Sequence, residues 1–327
     1  KPTQTMGEFE LIRHYFQQHS AESTPASVLL GVGDDAALLQ PPAGEALAVS
    51  VDTLVSGVHF PDDAPAEEIA QRALRVNLSD LAAMGATPLW FTLALTLPEA
   101  SDDWLRDFSR GLFEVAEAYG ISLVGGDATK GPLTITVQVM GSVAPGLALR
   151  RDGASAGDYV LVTHTLGDSA AGLASLQGRL EKAVSEDVSA YLQERYWRPT
   201  PRLEAAAQLA GIASAALDIS DGLLADLGHI CAASDLSAEL FIEELPLSPA
   251  LQNATSQDQA RHWALTGGDD YELCFTVPES RMPELGALIG TGALQATVVG
   301  RLGTGSGVHC TLHGEPYDSQ QSGYTHF

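Results

Sequence analysis

Apolar residues along this chain follow two spacings, one typical of helices and the other typical of strands. Phe9, Ile12 and Phe16 recur at the helix period, which predicts a helix over residues 8–19. Residues 134–139 alternate between polar and branched apolar side chains, as in a half-buried strand. Other strands are predicted at 46–51, 91–97, 121–124, 159–163, 215–219, 238–242, 271–277 and 296–301. Other helices are predicted at 65–85, 102–119, 168–176, 184–197 and 223–233.

The order of these elements mixes strands and helices in both halves of the chain, which predicts an α+β architecture throughout. At 327 residues the chain is longer than one average domain, so two domains are expected. Glycine, alanine, arginine and aspartate dominate around residues 145–158, where we place the boundary. The predicted domains are therefore 1–148 and 149–327, each of the α+β class.

Composition and charge exclude several classes of partner. Aspartate and glutamate number 42 against 17 lysines and arginines, and the resulting formal charge of −25 repels nucleic acid. No apolar stretch approaches the roughly 20 residues of a membrane span, and residues 1–5 lack the apolar core of a signal peptide. Three widely spaced cysteines, Cys231, Cys274 and Cys310, do not suit a disulfide framework. We expect a cytoplasmic protein without nucleic-acid or membrane partners.

Six short acidic clusters recur along the chain, most of them edged by glycine and preceded by an apolar run. They are 31–35, 50–52, 77–80, 125–127, 218–222 and 267–270. Carboxylates gathered in one pocket repel one another unless cations share the site. Hard oxygen ligands without a thiolate cluster favour Mg²⁺ and the phosphates that Mg²⁺ carries. The clusters therefore predict a magnesium and phosphate site.

Several of these clusters also have an ordinary structural interpretation. Asp80 lies in an otherwise apolar helix, where a carboxylate is costly to bury unless it is paired or bound to metal. Alternatively, Asp80 shares a solvent-facing stripe with Asn77. Asp34 and Asp35 could form an Asx-turn between two strands. Asp127 follows two glycines that let the backbone approach a ligand, and it is either a metal ligand or part of a turn at a strand end.

Further positions are candidates for binding phosphate or substrate. Asp218 and Asp221 flank Ser220 before a predicted helix, so one could cap the helix, or both could hold a metal beside a phosphate at the helix N-terminus. Arg151 belongs to a basic pair in a very acidic chain and suits bidentate phosphate binding, although such pairs are usually only solvated. His59 lies in a predicted loop, where it is a candidate for substrate contact.

Familiar catalytic motifs are absent from the sequence. It contains no Gly-x-x-x-x-Gly-Lys-Ser/Thr phosphate loop, no set of protein-kinase motifs, no His-Glu-x-x-His and no Gly-x-Ser-x-Gly. The calcium-loop pattern Asp-x-Asp-x-Asp-Gly is absent as well. The chain is therefore not a P-loop enzyme.

Taken in order, the clusters resemble the motifs of thiamine-monophosphate kinases. The matching segments span essentially the whole chain and are 32–37, 51–55, 77–86, 125–127, 167–173, 218–223 and 267–273. The resemblance implies a superfamily shared with aminoimidazole-ribonucleotide synthetase and selenophosphate synthetase. Its members have two α+β domains of mixed sheets with helices packed on them and dimerise through their N-terminal domains. It also implies ATP-dependent phosphorylation of thiamine monophosphate to thiamine diphosphate with several Mg²⁺ ions.

The resemblance further implies a role for each matching residue. The implied metal ligands are Asp35, Ser50, Val51 through its carbonyl, Asp52, Asp80, Asp127, Asp218 and Asp221. The implied ATP contacts are Gly126, Asp127, Arg151 and Ser220, and the implied substrate contacts are His59 and Asp269. No residue is expected to form a covalent intermediate, and Asp127 and Asp221 are expected to lie closest to the transferred group.

Two positions depart from the family pattern. The family usually has glutamate where this chain has Asp269, whose side chain is one methylene shorter. The family often has a tryptophan shortly before the C-terminus that could cover the rings of the substrate, and Gln321 occupies that region here. Recognition of the substrate is therefore expected to differ in detail.

The hypothesis that follows is direct phosphoryl transfer, in which Mg²⁺ ions held by both domains bridge the phosphates of ATP and of the substrate. One alternative is another ATP-using enzyme of the superfamily. Selenophosphate synthetase would carry a reactive cysteine near its N-terminus, and the hydrogenase-maturation relative ends in cysteine, whereas this chain has no cysteine before Cys231 and ends in Phe327. The other alternative is a non-catalytic module that binds divalent cations.

Overall fold

The computed structural model of the chain describes residues 8–19 and 24–319. Residues 1–5 and Gln321, on which predictions fall, lie outside the described residues. The described chain divides into two compact units. The first contains the described residues up to Leu81 together with Ala86–Pro145, and the second contains Ala82–Gly85 and the described residues from Gly146 onward.

The strands and helices of the first unit surround one main sheet. Its strands are β1 Val28–Leu30, β2 Leu38–Leu39, β3 Ala46–Val55, β4 Thr87–Leu97, β5 Ser122–Lys130 and β6 Thr134–Val143. Its helices are α1 Glu8–Leu11, which continues as a π-helix over Ile12–Gln17, α2 Ala66–Ala83 and α3 Asp102–Ala118. In the described residues the main sheet has the order β3-β6-β4-β5, in which β4 and β5 are parallel and the other neighbours antiparallel. β1 and β2 form a separate antiparallel pair.

Signals in the sequence explain where α2 and α3 begin and end. α2 follows Pro65, has acidic residues in its first turn and stops before Gly85, whose φ of 67° suits glycine. The Ser101 side chain caps α3 by accepting a hydrogen bond from the Trp104 N–H at 3.5 Å. Both predicted helices are confirmed.

All four strands of the main sheet in the first unit are longer than predicted, and the extensions of β3 and β5 include candidate site residues. β3 continues to Val55 and β5 continues to Lys130, so Asp52 and Asp127 lie inside strands rather than after them. Both strands lie at sheet edges in the part of the chain that the structure describes. Edge strands tolerate outward-facing polar residues and glycine, which hid these strands in the sequence pattern. The interpretation of Asp127 as part of a strand-end turn is wrong.

The second unit is built on a larger mixed sheet. Its strands are β7 Tyr159–Thr163, β8 Ala215–Asp218, β9 Ser237–Phe241, β10 Leu273–Val277, β11 Ala296–Gly303, β12 Gly307–Leu312 and β13 Glu315–Pro316. Among the described residues they lie in the order β13-β12-β9-β11-β7-β10-β8, with β9 and β12 parallel and the other neighbours antiparallel. The helices are α4 Asp168–Leu176, α5 Glu186–Trp197, α6 Leu203–Leu209, α7 Leu223–Ser234, α8 Pro249–Ala254, α9 Gln257–Thr266 and α10 Met282–Gly290, with 3-10 turns at Ile242–Glu244 and Glu279–Arg281.

The central strands of the second unit are buried on both faces. Val160 and Val162 of β7 belong to a cluster with Leu227 of α7, whereas Leu161 belongs to a cluster with Leu285 of α10. Because successive side chains of a strand point to opposite faces, helices on both sides bury them. The near-continuous apolar run of β7 reflects this double burial, and the predicted α+β class is confirmed. No helix in the described chain has the length and apolar character that a membrane crossing requires.

All three cysteines of the chain lie in the second unit. Cys231, Cys274 and Cys310 are buried and have free thiols. Burial raises the pKa of Cys310 to about 11 and raises the pKa of Cys274 still further. These thiols are therefore packing groups rather than nucleophiles.

Candidate functional site

Helix α2 brings two polar side chains against the edge strand β3. The Ser50 hydroxyl donates a hydrogen bond to Asp80 Oδ2 at 2.5 Å, and the Asp52 N–H donates to Asn77 Oδ1 at 3.1 Å. Asn77 is fully buried and Asp80 is half-buried, so the interpretation of both as a solvent-facing stripe is wrong. Three of the predicted metal ligands, Ser50, Asp52 and Asp80, therefore lie in one group.

Val51 lies on the same strand and could offer only a backbone atom to a metal. Its side chain lies on the opposite face from Ser50 and is 55% exposed, next to Leu47 at 48% and Val49 at 56%. An isopropyl group offers no donor to a metal, so the predicted contact is restricted to the carbonyl oxygen. We refer to Leu47, Val49 and Val51 as the apolar row of β3.

A cavity of about 510 Å³ in the first unit brings a second group of predicted residues together. Asp34 and Asp35 line it on one side, and Gly125, Gly126 and Asp127 of β5 line it on another. Its apolar wall includes residues of the π-helix and of two strands, namely Ile12, Phe16, Leu93, Leu123 and Val124. An apolar wall combined with a few polar groups is typical of a ligand site.

The glycine pair of β5 permits a close approach of two strands. A Cβ on Gly126 would lie 2.0 Å from the carbonyl oxygen of Leu93, whereas a Cβ on Gly125 would lie 3.8 Å from its nearest neighbour, a methyl of Thr92. Only glycine therefore fits at position 126. The close contact fixes the backbone immediately before Asp127.

β3, which carries Ser50 and Asp52, and β5, which carries Asp127, lie at opposite edges of the sheet among the described residues. β6 and β4 separate β3 from β5, a distance of roughly 14 Å at the usual strand spacing. Among the described residues, no three histidine, cysteine, aspartate or glutamate side chains are placed so that they could hold a metal ion. Within one chain the first unit thus presents two separate groups, and the predicted metal roles stay predictions.

His59 holds the turn that follows β3. Its Nδ1 accepts a hydrogen bond from the Val55 N–H at 2.9 Å, and its carbonyl oxygen accepts one from Arg72 Nε at 3.3 Å. When Nδ1 accepts, a neutral imidazole carries its proton on Nε2. The predicted contact with substrate therefore falls to Nε2.

The second unit contains a carboxylate that sequence reasoning missed. Asp226 of α7 is buried, and its Oδ2 accepts hydrogen bonds from the N–H groups of Ser220 and Asp221, both at 2.9 Å. Burial raises the pKa of Asp226 to about 6 despite these N–H groups, and the charge of Arg151 lowers it. Arg151 is thus within electrostatic range of the turn at Ser220. A lone aspartate in the first turn of an apolar helix was the available signal.

The aspartates that precede α7 do not cap it. Its N-cap is Gly222, and no side chain accepts a capping hydrogen bond there. The interpretation of Asp218 or Asp221 as the cap is therefore wrong. Asp218 is buried at the end of β8 and Asp221 is half-buried, and both stay predicted metal ligands.

The two arginines of the basic pair, Arg150 and Arg151, have different surroundings. Arg150 forms an exposed ion pair with Asp152, with Nε and Nη2 at 2.8 and 2.6 Å from the two carboxylate oxygens. This is the ordinary surface interaction that such pairs usually make. Arg151, whose charge reaches Asp226, remains the candidate for phosphate binding.

Two neighbouring segments of the second unit place Ser220 beside Asp269. The Asp269 N–H donates to the Ser220 carbonyl oxygen, and the Tyr271 N–H donates to the Ile219 carbonyl oxygen, both at 2.8 Å. Asp269 and Tyr271 have left-handed backbone conformations, with φ of 72° and 50°. The Tyr271 hydroxyl donates to Asp269 Oδ1 at 3.4 Å. A predicted ATP contact and a predicted substrate contact thus lie together.

Comparison with known proteins gives full-length matches. The AIR synthase related protein family matches residues 33–143 with its N-terminal domain and residues 155–313 with its C-terminal domain. The thiamine-monophosphate kinase of Salmonella typhimurium is 48% identical over 323 residues, which is 98% of this chain and 98% of the relative. That of Haemophilus influenzae is 43% identical over 326 residues, again 98% of each chain.

Solved structures match over the same extent. Thiamine-monophosphate kinase from Stenotrophomonas maltophilia has a TM-score of 0.85 at 47% identity and covers 94% of this chain and 97% of its own. AaThiL complexed with AMPPCP and TMP has a TM-score of 0.76 at 33% identity and covers 98% and 97%. The hydrogenase maturation protein HypE of E. coli, at 23% identity and a TM-score of 0.76 over 94% and 96%, shares the fold alone.

Proposed function

Because this chain belongs to the thiamine-monophosphate kinase family, we propose that it transfers the γ-phosphoryl group of ATP to thiamine monophosphate, which yields thiamine diphosphate and ADP. The observation that carries the proposal is the match of 98% of the chain to AaThiL, which is complexed with AMPPCP and TMP. AMPPCP is an ATP analogue with a methylene bridge between the last two phosphorus atoms. The family predicted from the sequence motifs is confirmed.

The cavity that joins Asp35 to Asp127 is where we place the nucleotide. Its apolar wall, with Ile12 and Phe16, suits a purine base, and the bare backbone at Gly126 suits the close approach of a phosphate. The carboxylates at its polar end would repel phosphates that arrive alone. Cations therefore have to accompany the nucleotide.

Mg²⁺ fits the donors that the chain supplies. Hydroxyl, carbonyl and carboxylate oxygens are the hard ligands that Mg²⁺ prefers, and it is commonly held by one or two carboxylates, with substrate phosphates and water completing the shell. This mode of binding does not need three or more protein side chains around one ion, and the described residues contain no such cluster of histidine, cysteine, aspartate or glutamate. The residues that would hold the ions are Asp35, Ser50, Val51, Asp52, Asp80, Asp127, Asp218 and Asp221. When bound, Mg²⁺ would neutralise negative charge on the β- and γ-phosphates.

The attacking group in the proposed reaction is an oxygen of the phosphate of thiamine monophosphate. This phosphate is ionised at neutral pH, so no side chain has to remove a proton. The oxygen bonds to the γ-phosphorus in line with the β–γ bridging oxygen, whose bond breaks as ADP leaves. Arg151 suits bidentate binding of a phosphate, and Gly126 and Ser220 are further proposed ATP contacts. The chain contributes positioning rather than covalent catalysis.

Asp269 and His59 are the proposed contacts with thiamine monophosphate. The thiazolium ring of this substrate is a cation, and the carboxylate of Asp269 is complementary to it. His59 offers the N–H of Nε2, because its Nδ1 is engaged by Val55. Asp269 and His59 are thus assigned to recognition rather than to proton transfer.

We also propose that two copies of the chain associate through the first unit. The apolar row of β3 is exposed on an edge strand, and such an edge is prone to pair with another chain. A second copy seated there would cover the apolar row. Val49→Lys should then shift the protein from dimer to monomer in sedimentation velocity, whereas Val58→Lys, on the exposed turn after β3, should not. A monomeric wild type at micromolar concentration would exclude the dimer.

Incubation with ATP, MgCl₂ and thiamine monophosphate, followed by chromatography, tests the proposed reaction. Thiamine diphosphate and ADP are expected in equal amounts. No product with thiamine monophosphate, together with turnover of another superfamily substrate, would refute the proposal. Radiolabelled γ-phosphate trapped on the protein at the rate of turnover would refute direct transfer.

Calorimetry separates the enzyme from a non-catalytic cation module. A kinase of this design should bind Mg²⁺ and ATP synergistically, because each neutralises charge for the other. Equal Mg²⁺ affinity with and without ATP would favour the module instead.

A further inference from the structure

The segment 268–272 alternates between residues near the candidate site and residues anchored inside the second unit. Asp269 and Tyr271 are half-buried, whereas Asp270 and Glu272 are 2% and 0% exposed. A buried carboxylate is costly unless hydrogen bonds or opposite charges compensate it. The proposed reaction uses neither Asp270 nor Glu272. Their hydrogen bonds and ion pairs within the second unit therefore indicate their role.

Asp270 anchors the segment to the beginning of α4. Its Oδ2 accepts a hydrogen bond from the Gly167 N–H at 2.8 Å, and its Oδ1 accepts one from the Ser169 N–H at 3.4 Å. Gly167 is the N-cap of α4 and has no side chain to offer. Asp270 therefore supplies the carboxylate that the start of this helix favours, from a position far away in the sequence.

Glu272 anchors the other end of the segment through two arginines. Arg202 donates from Nε to Oε2 at 2.7 Å and from Nη2 to Oε1 at 2.6 Å, a bidentate arrangement. Arg195 Nη2 donates to Oε1 at 2.8 Å, and the Thr163 hydroxyl donates to Oε2 at 2.5 Å. The position of Glu272 is therefore fixed from three directions.

The two residues that alternate with these anchors, Asp269 and Tyr271, have left-handed backbone conformations. Left-handed φ values are rare for residues other than glycine, asparagine and aspartate, and Tyr271 is bulky. Such conformations persist only where the surrounding structure holds them in place. Backbone hydrogen bonds to Ser220 and Ile219 hold Asp269 and Tyr271, and the side chains of Asp270 and Glu272 fix the backbone on either side of Tyr271.

We propose that Asp270 and Glu272 are positioning residues that hold Asp269 and Tyr271 toward the thiamine end of the substrate, with the Tyr271 hydroxyl orienting the Asp269 carboxylate. This inference rests on the proposed function, in which Asp269 contacts thiamine monophosphate. The Ser220 N–H donates to Asp226 Oδ2 at 2.9 Å, a contact that does not involve Asp270. We therefore expect the ATP contacts to be retained when Asp270 is changed.

Asp270→Asn tests the inference, with Asp158→Asn as the matched control. Asp158 is also buried in the second unit, and it accepts from the Ser155 N–H at 3.0 Å and from the Ser214 hydroxyl at 2.6 Å. Both variants should lower the melting temperature. Only Asp270→Asn should raise the KM for thiamine monophosphate, by about tenfold or more, with the KM for ATP unchanged.

Equal KM values for thiamine monophosphate in Asp270→Asn, Asp158→Asn and wild type would overturn the inference. Should Asp270→Asn fail to fold, Tyr271→Phe decides, because it removes one hydroxyl from a half-buried side chain. It should raise the same KM several-fold, whereas Tyr191→Phe, which removes a hydroxyl bonded to Asp168 at 3.2 Å, should not. An inactive wild type would refute the proposed function itself, whereas an active wild type with unchanged KM in the variants refutes only the positioning.

Discussion

The carboxylates of the first unit and those of the second come from similar acidic motifs but lie in opposite surroundings. Asp35, Asp52 and Asp127 are exposed, on a loop and on two edge strands. Asp270 and Glu272 are buried, held by backbone N–H groups and by arginines. An acidic motif edged by glycine therefore marks either an exposed carboxylate or an internal anchor, and only the fold distinguishes them.

Removing a buried anchor should have the largest effect. Glu272→Ala leaves two arginines without their shared carboxylate and should lower the free energy of unfolding by about 3 to 5 kcal/mol. Glu284→Ala, which breaks an exposed pair with Arg281 at 3.1 Å, should change it little. Urea unfolding measures both variants. Similar losses would remove the contrast between buried and exposed carboxylates.

The next largest effect should come from the backbone beside an exposed carboxylate. Gly126→Ala forces a methyl group against the Leu93 carbonyl oxygen and should lower the free energy of unfolding by about 3 kcal/mol. Gly125→Ala, where the same methyl has ordinary van der Waals space, is the control and should cost much less. Equal costs in thermal unfolding would show that β5 does not approach β4 as closely as described.

An exposed carboxylate should matter for activity and not for stability. Asp127→Asn should lower turnover by about 100-fold or more, which corresponds to about 2.7 kcal/mol of activation free energy, with an unchanged melting temperature. Asp63→Asn, at another exposed position of the first unit, should change neither quantity. Near-normal turnover of Asp127→Asn at saturating Mg²⁺ would remove Asp127 from the site.

Asp226 combines burial with closeness to the candidate site, and its titration should give the smallest effect. Its pKa of about 6 in the folded protein exceeds the ordinary value of 3.8, so the folded state binds this proton more tightly than the unfolded chain does. Its contribution to the unfolding free energy should therefore fall as pH rises from about 4 to about 6, by roughly 2 kcal/mol.

Metal-free urea unfolding across this pH range checks the titration. Asp226→Asn should flatten the decline, whereas Asp258→Asn, at an exposed surface position, should leave it intact. A decline that persists in Asp226→Asn would belong to another buried acid. Asp270 is the candidate, because its burial also raises its pKa.

Elements with strong local signals could be predicted from the sequence. The predicted strand 159–163 and helix 168–176 agree with the structure to the residue, since one is a buried apolar run and the other is helically periodic. The short helices α6, α8, α9 and α10 were not predicted, because packing rather than local sequence stabilises such lengths. The edge strand β13 and its neighbour β12 were missed for lack of a continuous apolar pattern.

The start of β10 shows a different limit. The predicted strand 271–277 begins only at Leu273, because the left-handed φ of Tyr271 cannot continue a strand. No local sequence signal indicates that a tyrosine at this position has a left-handed backbone conformation. It arises from anchors that the rest of the unit supplies.

Motifs identified candidate residues but not their contacts. The sequence marked Asp127 in the first unit and Ser220 and Asp269 in the second as candidates. It could not show that Asp270 caps a helix that begins 102 positions earlier, since the hydrogen bonds from Gly167 and Ser169 join residues 103 and 101 apart. Tertiary contacts of this kind depend on topology, which local periodicity does not encode.

The confinement of Cys231, Cys274 and Cys310 to the interior of the second unit gives the molecule a natural reporter of its own opening. Thiol reagents attack the exposed thiolate, so each labelling event requires that this unit transiently open. A ligand that binds and stabilises only the first unit would not change the rate of thiol labelling. A ligand that stabilises the second unit would slow the labelling. The rate of thiol labelling of the unmodified protein can thus show whether a compound stabilises the second unit.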